Sequence, residues 1–521
     1  MDSSQYFREI IGGRRENIFP ELTGPVIRSL EEAVESCLKY YHDHQVSAHV
    51  LDVRTRIGKQ MEAFHRKAGT YSDRIKKSIK DVSKPETLVV EVAHQPNIFP
   101  YSGFFKKIVL GHIIAETIRE KVDFPVVELF GIVDQDFANP KWFRNTYLPD
   151  INAKEGLLVL SAPVSRKSID AMYTIEKPSM ELVNKWKSAL ETWLINNARI
   201  LNRLSKDIHG NIQLDRDKMS IFRSRLKKLF ELIDDCAKIS NSLTEFNSFF
   251  LSKLVNTIWD YPMVFYEYHV TQQYFKDEYE FLIKNFEVYD QQFRFYYNFI
   301  VSKGISLNFK EPERNCAPFW LHCDCGAKVN VDADCNQLKG IILIKQECPK
   351  CKKESAAIAL DDIMNKISPR AVSRPIIVSR GIQPSIFISG LDAAGFELIS
   401  RGIANDLNIN LPPYAIWHVK DNYMGIAQAV ANLTIKKAFF RKEGFTKENK
   451  ENKKDYKTEM KEKKKSLVLS RCENALKVMP SIIDYLINFG FVETRDLWSD
   501  YLLREGGLSA DLNFETDIKG E

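Results

Sequence analysis

Several things are missing from this chain, and each absence closes a class of function. No apolar run among its 521 residues reaches about 18, the length a membrane-crossing helix needs, and no early stretch has the basic, apolar, small-residue order of an export signal. A soluble cytoplasmic protein with no membrane partner is expected. Neither Gly-x-x-x-x-Gly-Lys-Ser/Thr nor Gly-x-Gly-x-x-Gly occurs, so neither glycine-rich phosphate cradle is available. The nine cysteines do not crowd a small secreted framework, which leaves reduced thiols or metal ligands. Net charge is nearly absent too. The surplus of +5 sits between Arg441 and Lys465, where 11 Lys/Arg meet 6 Asp/Glu, and the rest of the chain is neutral. A segment of mixed sign reads as a solvated helix or hairpin tip before it reads as a polyanion-binding arm.

Chemistry concentrates where apolar runs stop. Residues 87–92 are β-branched and apolar and then break into His94-Gln95-Pro96-Asn97, while the run 124–133 ends at Asp134-Gln135-Asp136-Phe137. Between them Phe105, Val109, Leu110, Ile113, Ile114 and Ile118 recur at helical spacing. Strand, helix and strand of this length predict a right-handed parallel βαβ unit, and open α/β sheets bind ligands at the carboxyl ends of their strands. His94, Gln95, Asp134 and Asp136 would share one crevice. The two aspartates alternate along extended chain, so only one faces that crevice squarely. Paired carboxylates would hold Mg²⁺ or an amine, or cap a loop, and His94 would donate to a phosphate or act as a base.

The α/β pattern returns after residue 363, with 374–380, 384–390 and 413–418 reading as strands and 393–407 as a helix. Six regions follow: an N-terminal helical region (1–80), the first half of a parallel sheet (81–150), a helical connective insertion (151–310), a zinc ribbon (311–360), the second half of the sheet (361–424) and a C-terminal helical coiled coil (425–521). In the insertion, Trp186, Leu190, Trp193, Asn197 and Leu201 form one helical stripe and Phe222, Leu226, Leu229 and Ile233 another, both read as core. At the N-terminus Val26, Ile27, Leu30 and Val34 read as one helix face. The runs 425–440 and 467–489 flank the charged segment and read as two helices of an antiparallel hairpin. The ribbon carries His322-Cys323-Asp324-Cys325-Gly326 and, after 22 residues, Cys348-Pro349-Lys350-Cys351. Two paired-thiol knuckles suit a tetrahedral, closed, structural zinc site. Cys323, Cys325, Cys348 and Cys351 are the expected ligands, His322 in place of Cys323 is the alternative, and Cys316 and Cys335 are bystanders. Arg374 and Arg370 open the second half, where an arginine clamps a carboxylate or phosphate, or pairs with Asp361 or Asp362.

Taken in order, His94-Gln95-Pro96-Asn97-Ile98-Phe99, Lys106-Lys107-Ile108, Pro125-Val126-Val127, Asp134-Gln135-Asp136-Phe137, Ser368-Pro369, Arg374-Pro375, Pro384 and Gly390 resemble the landmarks of bacillithiol synthase, the cysteine-adding enzyme. The resemblance covers both α/β halves. It implies a Rossmann-like core related to class I aminoacyl-tRNA synthetases with connective insertions; with the cysteine spacing, the expected fold is an α/β, Rossmann-like parallel sheet split by a helical and zinc-ribbon insertion and followed by a C-terminal helical coiled-coil hairpin. It also implies a reaction joining cysteine to an aminosugar malate. Where that family has Glu-Asp-His-Asp-Phe this chain has Val133-Asp134-Gln135-Asp136-Phe137, and Gly-Gly-Pro-Gly-Glu becomes Ser389-Gly390-Leu391-Asp392-Ala393. With the ribbon, these departures mark a divergent, archaeal-type branch.

On that resemblance the expected reaction is amide formation between cysteine, or a similar amino acid, and an aminosugar conjugate. Condensation in water needs an activated carboxyl group, hence ATP or another activated donor. His94 and Gln95 are expected to stabilise a phosphate or acyl group, Asp134 and Asp136 to hold the amine or a metal, and Arg374 to clamp a carboxylate. Asn97, Gln135, Ser368, Arg370 and Asp392 are expected to bind substrate. The alternative is a synthetase-like RNA-binding or scaffold protein that grips nucleic acid with its zinc ribbon and basic hairpin. An apolar seam along the hairpin would support a homodimer.

Overall fold

The computed structural model describes the chain except residues 208–213, 312, 314–315, 333–340, 343–345, 356–357, 360–362, 444–455, 510–511 and 516–521. Four helices lead the chain: α1 (Ser3–Ile11), α2 (Leu30–Asp43), α3 (Ala48–Ala68) and α4 (Asp73–Val82). Each starts where a short polar side chain caps it. Asp2, Ser29, Ser47 and Ser72 accept from the backbone N–H of Gln5, Glu32, Val50 and Ile75, satisfying donors that the first turn leaves open. Val26 and Ile27 precede α2, so the helical face expected across Val26, Ile27, Leu30 and Val34 is corrected: Ser29 sets the start.

Alternate residues of the first strand belong to different cores. In β1 (Leu88–His94), Leu88, Val90 and Val92 pack into one apolar cluster and Val89 into another, as a strand covered on both faces must with a side-chain period of two. Helix α5 (Ser102–Arg119) follows and leads to β2 (Val126–Ile132), which pairs in parallel with β1 from Leu88 opposite Val126 to His94 opposite Ile132. Helix α5 starts at Ser102, three residues before Phe105, the first residue of its apolar spacing, with Tyr101 as its N-cap. An antiparallel hairpin of β3 (Asn145–Pro149) and β4 (Leu157–Ser161) comes next, then α6 (Met180–Asp207), α7 (Arg216–Ile239) and α8 (Leu243–Ser252). Both expected stripes of α6 and α7 are buried.

The span 151–310 is not wholly helical, which corrects the expectation. β5 (Val264–Glu267) pairs in parallel with β2, so the core sheet takes its edge strand from this region. A smaller antiparallel sheet of β6 (Cys316–His322), β7 (Lys328–Asp332) and β8 (Ile367–Pro369) follows, in the order β8-β6-β7. The expected strand at 374–380 is a helix, α9 (Arg374–Gly381): Pro375 sits in its first turn, where a missing N–H costs nothing, and its apolar run packs around the helix instead of along a strand. β9 (Ile386–Ser389), α10 (Ala394–Asp406) and β10 (Tyr414–Ile416) complete the core as expected. The result is an α/β architecture around one five-stranded parallel sheet in the order β10-β9-β1-β2-β5.

The C-terminal region packs onto this body. α11 (Ile426–Glu443) and α12 (Tyr456–Lys477) lie side by side over a small core of Ala431, Cys472 and Ala475. The helix expected across 467–489 is broken, because Ser481 caps a separate α13 (Ile482–Asn488), followed by α14 (Phe491–Glu505). Residues 444–455 of the charged segment 441–465 lie outside the described residues. Among the described residues no helix is long and apolar enough to cross a membrane.

Gly111 of α5 lies against the sheet: a Cβ there would sit 2.8 Å from Cγ2 of Val92 and 3.6 Å from Cγ1 of Ile388. Gly111→Val is expected to destabilise the protein by about 1–3 kcal/mol through overpacking, read as a lowered midpoint in urea unfolding followed by circular dichroism.

Candidate functional site

The sheet turns in two directions from its centre. From β1 the chain moves outward to β2 and β5, and from β9, on the other side of β1, it moves outward to β10. Such a parting opens a crevice at the carboxyl ends of the two strands, the usual ligand position in an open α/β sheet. His94 ends β1, and Ser389-Gly390 ends β9. Lys107 of α5 reaches over this point: a Cβ on Gly390 would lie 2.7 Å from its Nζ, so a larger residue there would make the amine shift. Burial lowers Lys107 to about 8, with Glu397 and Asp392 opposing. His94 is pushed down to about 3 by burial and by Lys107, and is therefore neutral. Its Nδ1–H donates to the Gln95 carbonyl at 2.9 Å, which leaves Nε2 as the acceptor. The positive charge for an anion at this point comes from Lys107, not from the imidazole.

Asp136 is the hub at the end of β2. Gln95 Nε2 donates to its Oδ2 at 2.8 Å, and Arg374, at the N-terminus of α9, donates to its Oδ1 at 2.5 Å. Burial works against its ionisation, but Arg374 and Lys328, with the Gln95 bond, hold the carboxyl below its ordinary value. Among the described residues Arg374 Nε has no hydrogen-bond partner, nor has either amide atom of Gln135, which is 1% exposed. Unpaired donors and acceptors buried at one strand end are costly unless a ligand or water meets them. Sequence reasoning placed Gln95 and Asp136 in one crevice, and they are hydrogen-bonded to each other; Arg374, expected at the start of a strand, reaches Asp136 from the first turn of a helix. The partners suggested for Arg374, Asp361 and Asp362, lie outside the described residues.

Asp134 turns away from that crevice. It is fully buried, with one oxygen accepting the backbone N–H of His269 at 3.0 Å and the other bonded to His269 Nδ1. Burial opposes the charge on His269, yet Asp134 and Glu267 raise it to about 9. Glu267 is itself raised to about 7 by burial and by Asp134. The Tyr173 ring stacks on His269, with centroids 4.5 Å apart and planes 6° from parallel. These residues escaped sequence reasoning, although Met263-Val264-Phe265-Tyr266 followed by Glu267-Tyr268-His269 repeats the apolar-then-polar pattern of β1 and β2.

Among the remaining expected residues, Asn97 is buried with an unpaired Oδ1, and Asp392 is exposed after β9 beside Lys107. Ser368 and Arg370 belong to the small sheet. Ser368 Oγ is hydrogen-bonded to His322 Nε2 at 2.8 Å; Arg370 stacks 3.8 Å from the Trp320 ring centroid and donates to the Ala317 carbonyl and to Asn330 Oδ1.

The ligand atoms of Cys323, Cys325, Cys348 and Cys351 lie within 4.8 Å of one another. Cys323 and Cys351 sulfurs are 3.5 Å apart, Cys325 and Cys348 sulfurs 3.6 Å. A tetrahedral zinc with bonds of about 2.3 Å needs sulfur–sulfur edges of about 3.8 Å, so the cluster is compatible with a structural zinc. His322 is excluded as the fourth ligand, because Nε2 is bonded to Ser368 and Nδ1 lies 3.0 Å from the Tyr173 hydroxyl. Cys316 is 2.8 Å from Arg370, outside the cluster, and Cys335 lies outside the described residues.

The fold defines an α/β protein with a polar crevice at the switch point of its parallel sheet. The chain matches no family model and no curated protein.

Purified protein is expected to carry about one zinc per chain by elemental analysis, with Cys348→Ser losing it and His322→Ala keeping it. The pH response of the His269 pair follows from its raised value. Its stabilisation is complete below the unfolded value of about 6.5 and lost as pH rises through about 9. The stability gap between wild type and His269→Gln in urea unfolding should therefore narrow from pH 6 to pH 9.5.

Proposed function

We propose that this protein is a cytoplasmic carbon–nitrogen ligase with a Rossmann-like core, similar to bacillithiol synthase, that forms an amide between cysteine or a similar amino acid and an aminosugar conjugate. The observation that carries this reading is the bonded set Gln95–Asp136–Arg374 at the carboxyl ends of the core strands, beside Lys107 and the neutral His94. Each group has a task in condensation. Lys107 at Gly390 offers a cation to the anionic leaving group of an activated carboxyl, such as one supplied by ATP. His94 Nε2, neutral and unprotonated, accepts a hydrogen bond from the attacking amine and orients it, a role that a weakly basic imidazole can fill at physiological pH. Arg374 Nε remains free to donate to a substrate carboxylate, while its Nη2 stays on Asp136. No disulfide joins the eight described cysteines, in keeping with a reducing compartment. The four-thiol cluster is read as a structural zinc ribbon and α11–α12 as a coiled-coil hairpin able to pair two copies.

Incubation of the protein with ATP, cysteine and a panel of aminosugar malates, followed by mass spectrometry, should yield a cysteinyl product. His94→Ala and Arg374→Ala are each expected to lower its rate by about 10²-fold or more while urea unfolding stays cooperative. No product across the panel from folded, zinc-loaded protein would defeat the ligase reading; retention of RNA that weakens steeply with salt would then favour the synthetase-like RNA-binding alternative.

A further inference from the structure

We propose that the metal held by the four thiols fixes the shape of the crevice itself, by setting the position of Lys328, which serves as a positioning residue for Gln135 and Asp136. This inference gains functional meaning from the reading of the crevice as the ligase site, although the coupling is a physical one and is tested without turnover.

The geometry begins at the knuckle. Cys323 to Ala327 is the turn between β6 and β7, closed by Cys323 N–H to the Ala327 carbonyl at 2.8 Å and Gly326 N–H to the Cys323 carbonyl at 2.8 Å. The residues on either side of the turn, His322 and Lys328, are direct cross-strand partners. Partners in such a pair project to the same face. Both are buried, at 3% and 4% exposure, and both leave the ribbon for the core. His322 meets Tyr173 and Ser368. Lys328 Nζ donates to the Gln135 carbonyl at 2.6 Å and stands 4.0 Å from Asp136 Oδ1, between the rings of Phe137 and Trp320 at 4.8 and 5.6 Å.

A second set of bonds runs in parallel. Lys328 N–H donates to the Ile169 carbonyl and Ala171 N–H to the Gly326 carbonyl. Lys350, within the second knuckle, reaches both Asp170 Oδ1 at 2.6 Å and the Cys325 carbonyl at 3.1 Å. The same stretch then grips the exit of β2, Met172 N–H bonding the Asp136 carbonyl and Tyr173 N–H the Asp134 carbonyl. Metal cluster, 169–173 segment and Asp134–Asp136 loop thus form one connected piece.

The knuckles have little else to hold them. Their apolar core among the described residues is Ala327, Val329 and Cys348 with three partly buried neighbours. A core of that size does not order a ribbon in water, and metal binding supplies the folding free energy.

The test uses full-length protein and two readouts, acetylation of Lys328 by an amine-selective reagent and amide hydrogen exchange at 134–137, each resolved by mass spectrometry. Lys328 is expected to be protected in the zinc-loaded protein. In Cys348→Ser, acetylation of Lys328 and exchange at 134–137 should both rise by about tenfold or more, while residues 88–92 in β1 stay protected. Adding Zn²⁺ to chelator-treated wild type should restore both. Unchanged acetylation and exchange after metal loss would overturn the proposal, as would purified protein without metal whose Lys328 is already protected. If Cys348→Ser loses protection in β1 as well, Lys328→Met decides, since it keeps all four thiols: faster exchange at 134–137 with zinc retained supports the proposal, and unchanged exchange overturns it. Absence of ligase product alongside intact coupling would count against the proposed reaction alone.

Discussion

Burial of both faces of the central sheet is the constraint from which the rest of the molecule follows. Five parallel strands lie between two apolar layers, so every residue along them meets a hydrocarbon environment. A charge is affordable there only with partners at hand. Glu91 shows the condition: it lies fully buried in β1, is raised to about 7 by burial, and is bonded to the hydroxyls of Tyr266 and Tyr268. Glu128, fully buried in β2, meets the same condition through Arg119 and His112, and the groups of the crevice lie at the ends of the strands, where loops and helix termini supply donors. The crevice is where a doubly covered sheet stops being able to exclude them.

The pair Asp136–Arg374 joins distant parts of the sequence at that place. Asp136 belongs to the first α/β half and Arg374 to the second, and between them the chain builds helices α6 to α8, strand β5 and the cysteine-bearing sheet. A half-buried ion pair with a shared glutamine has little value as surface decoration. Its effect is positional: the helix carrying Arg374 has to dock for the β2 loop to be neutralised. Arg54 has a comparable role on the opposite side of the core, fully buried and bonded to the carbonyls of Thr87, Ile382 and Gln383, so that α3, the start of β1 and the approach to β9 are held together.

Local periodicity made much of this legible. The continuous apolar runs of β1 and β2 and the helical stripes of α5, α6 and α7 each depend on neighbours within a few residues, and paired cysteines announce a metal cluster by spacing alone. Gln95 and Asp136 drew notice because they follow apolar runs at strand ends, whereas Arg374 was singled out at a strand start that is a helix N-terminus. The errors share another cause. Arg374 to Arg380 has the β-branched composition of a strand, but packing against α10 and a proline suited to a first turn made it a helix. β5 is four residues long and follows long helices, so its pairing with β2 is a tertiary fact that no local pattern fixes. Lys328 and His269 act through chain segments remote from their partners, and only the fold brings them to Gln135 and Asp134.

The order of the strands carries a consequence for how the molecule is made. β1 receives β2 soon after it emerges from the ribosome, but its other neighbour, β9, lies roughly 290 residues further on, about 15–60 s of synthesis at about 5–20 residues per second. Through that interval this largely apolar strand has an open edge, the kind of surface that pairs with strangers. A nascent chain of this design depends on its leading helices, or on a chaperone, to shield that edge until the second half of the sheet arrives.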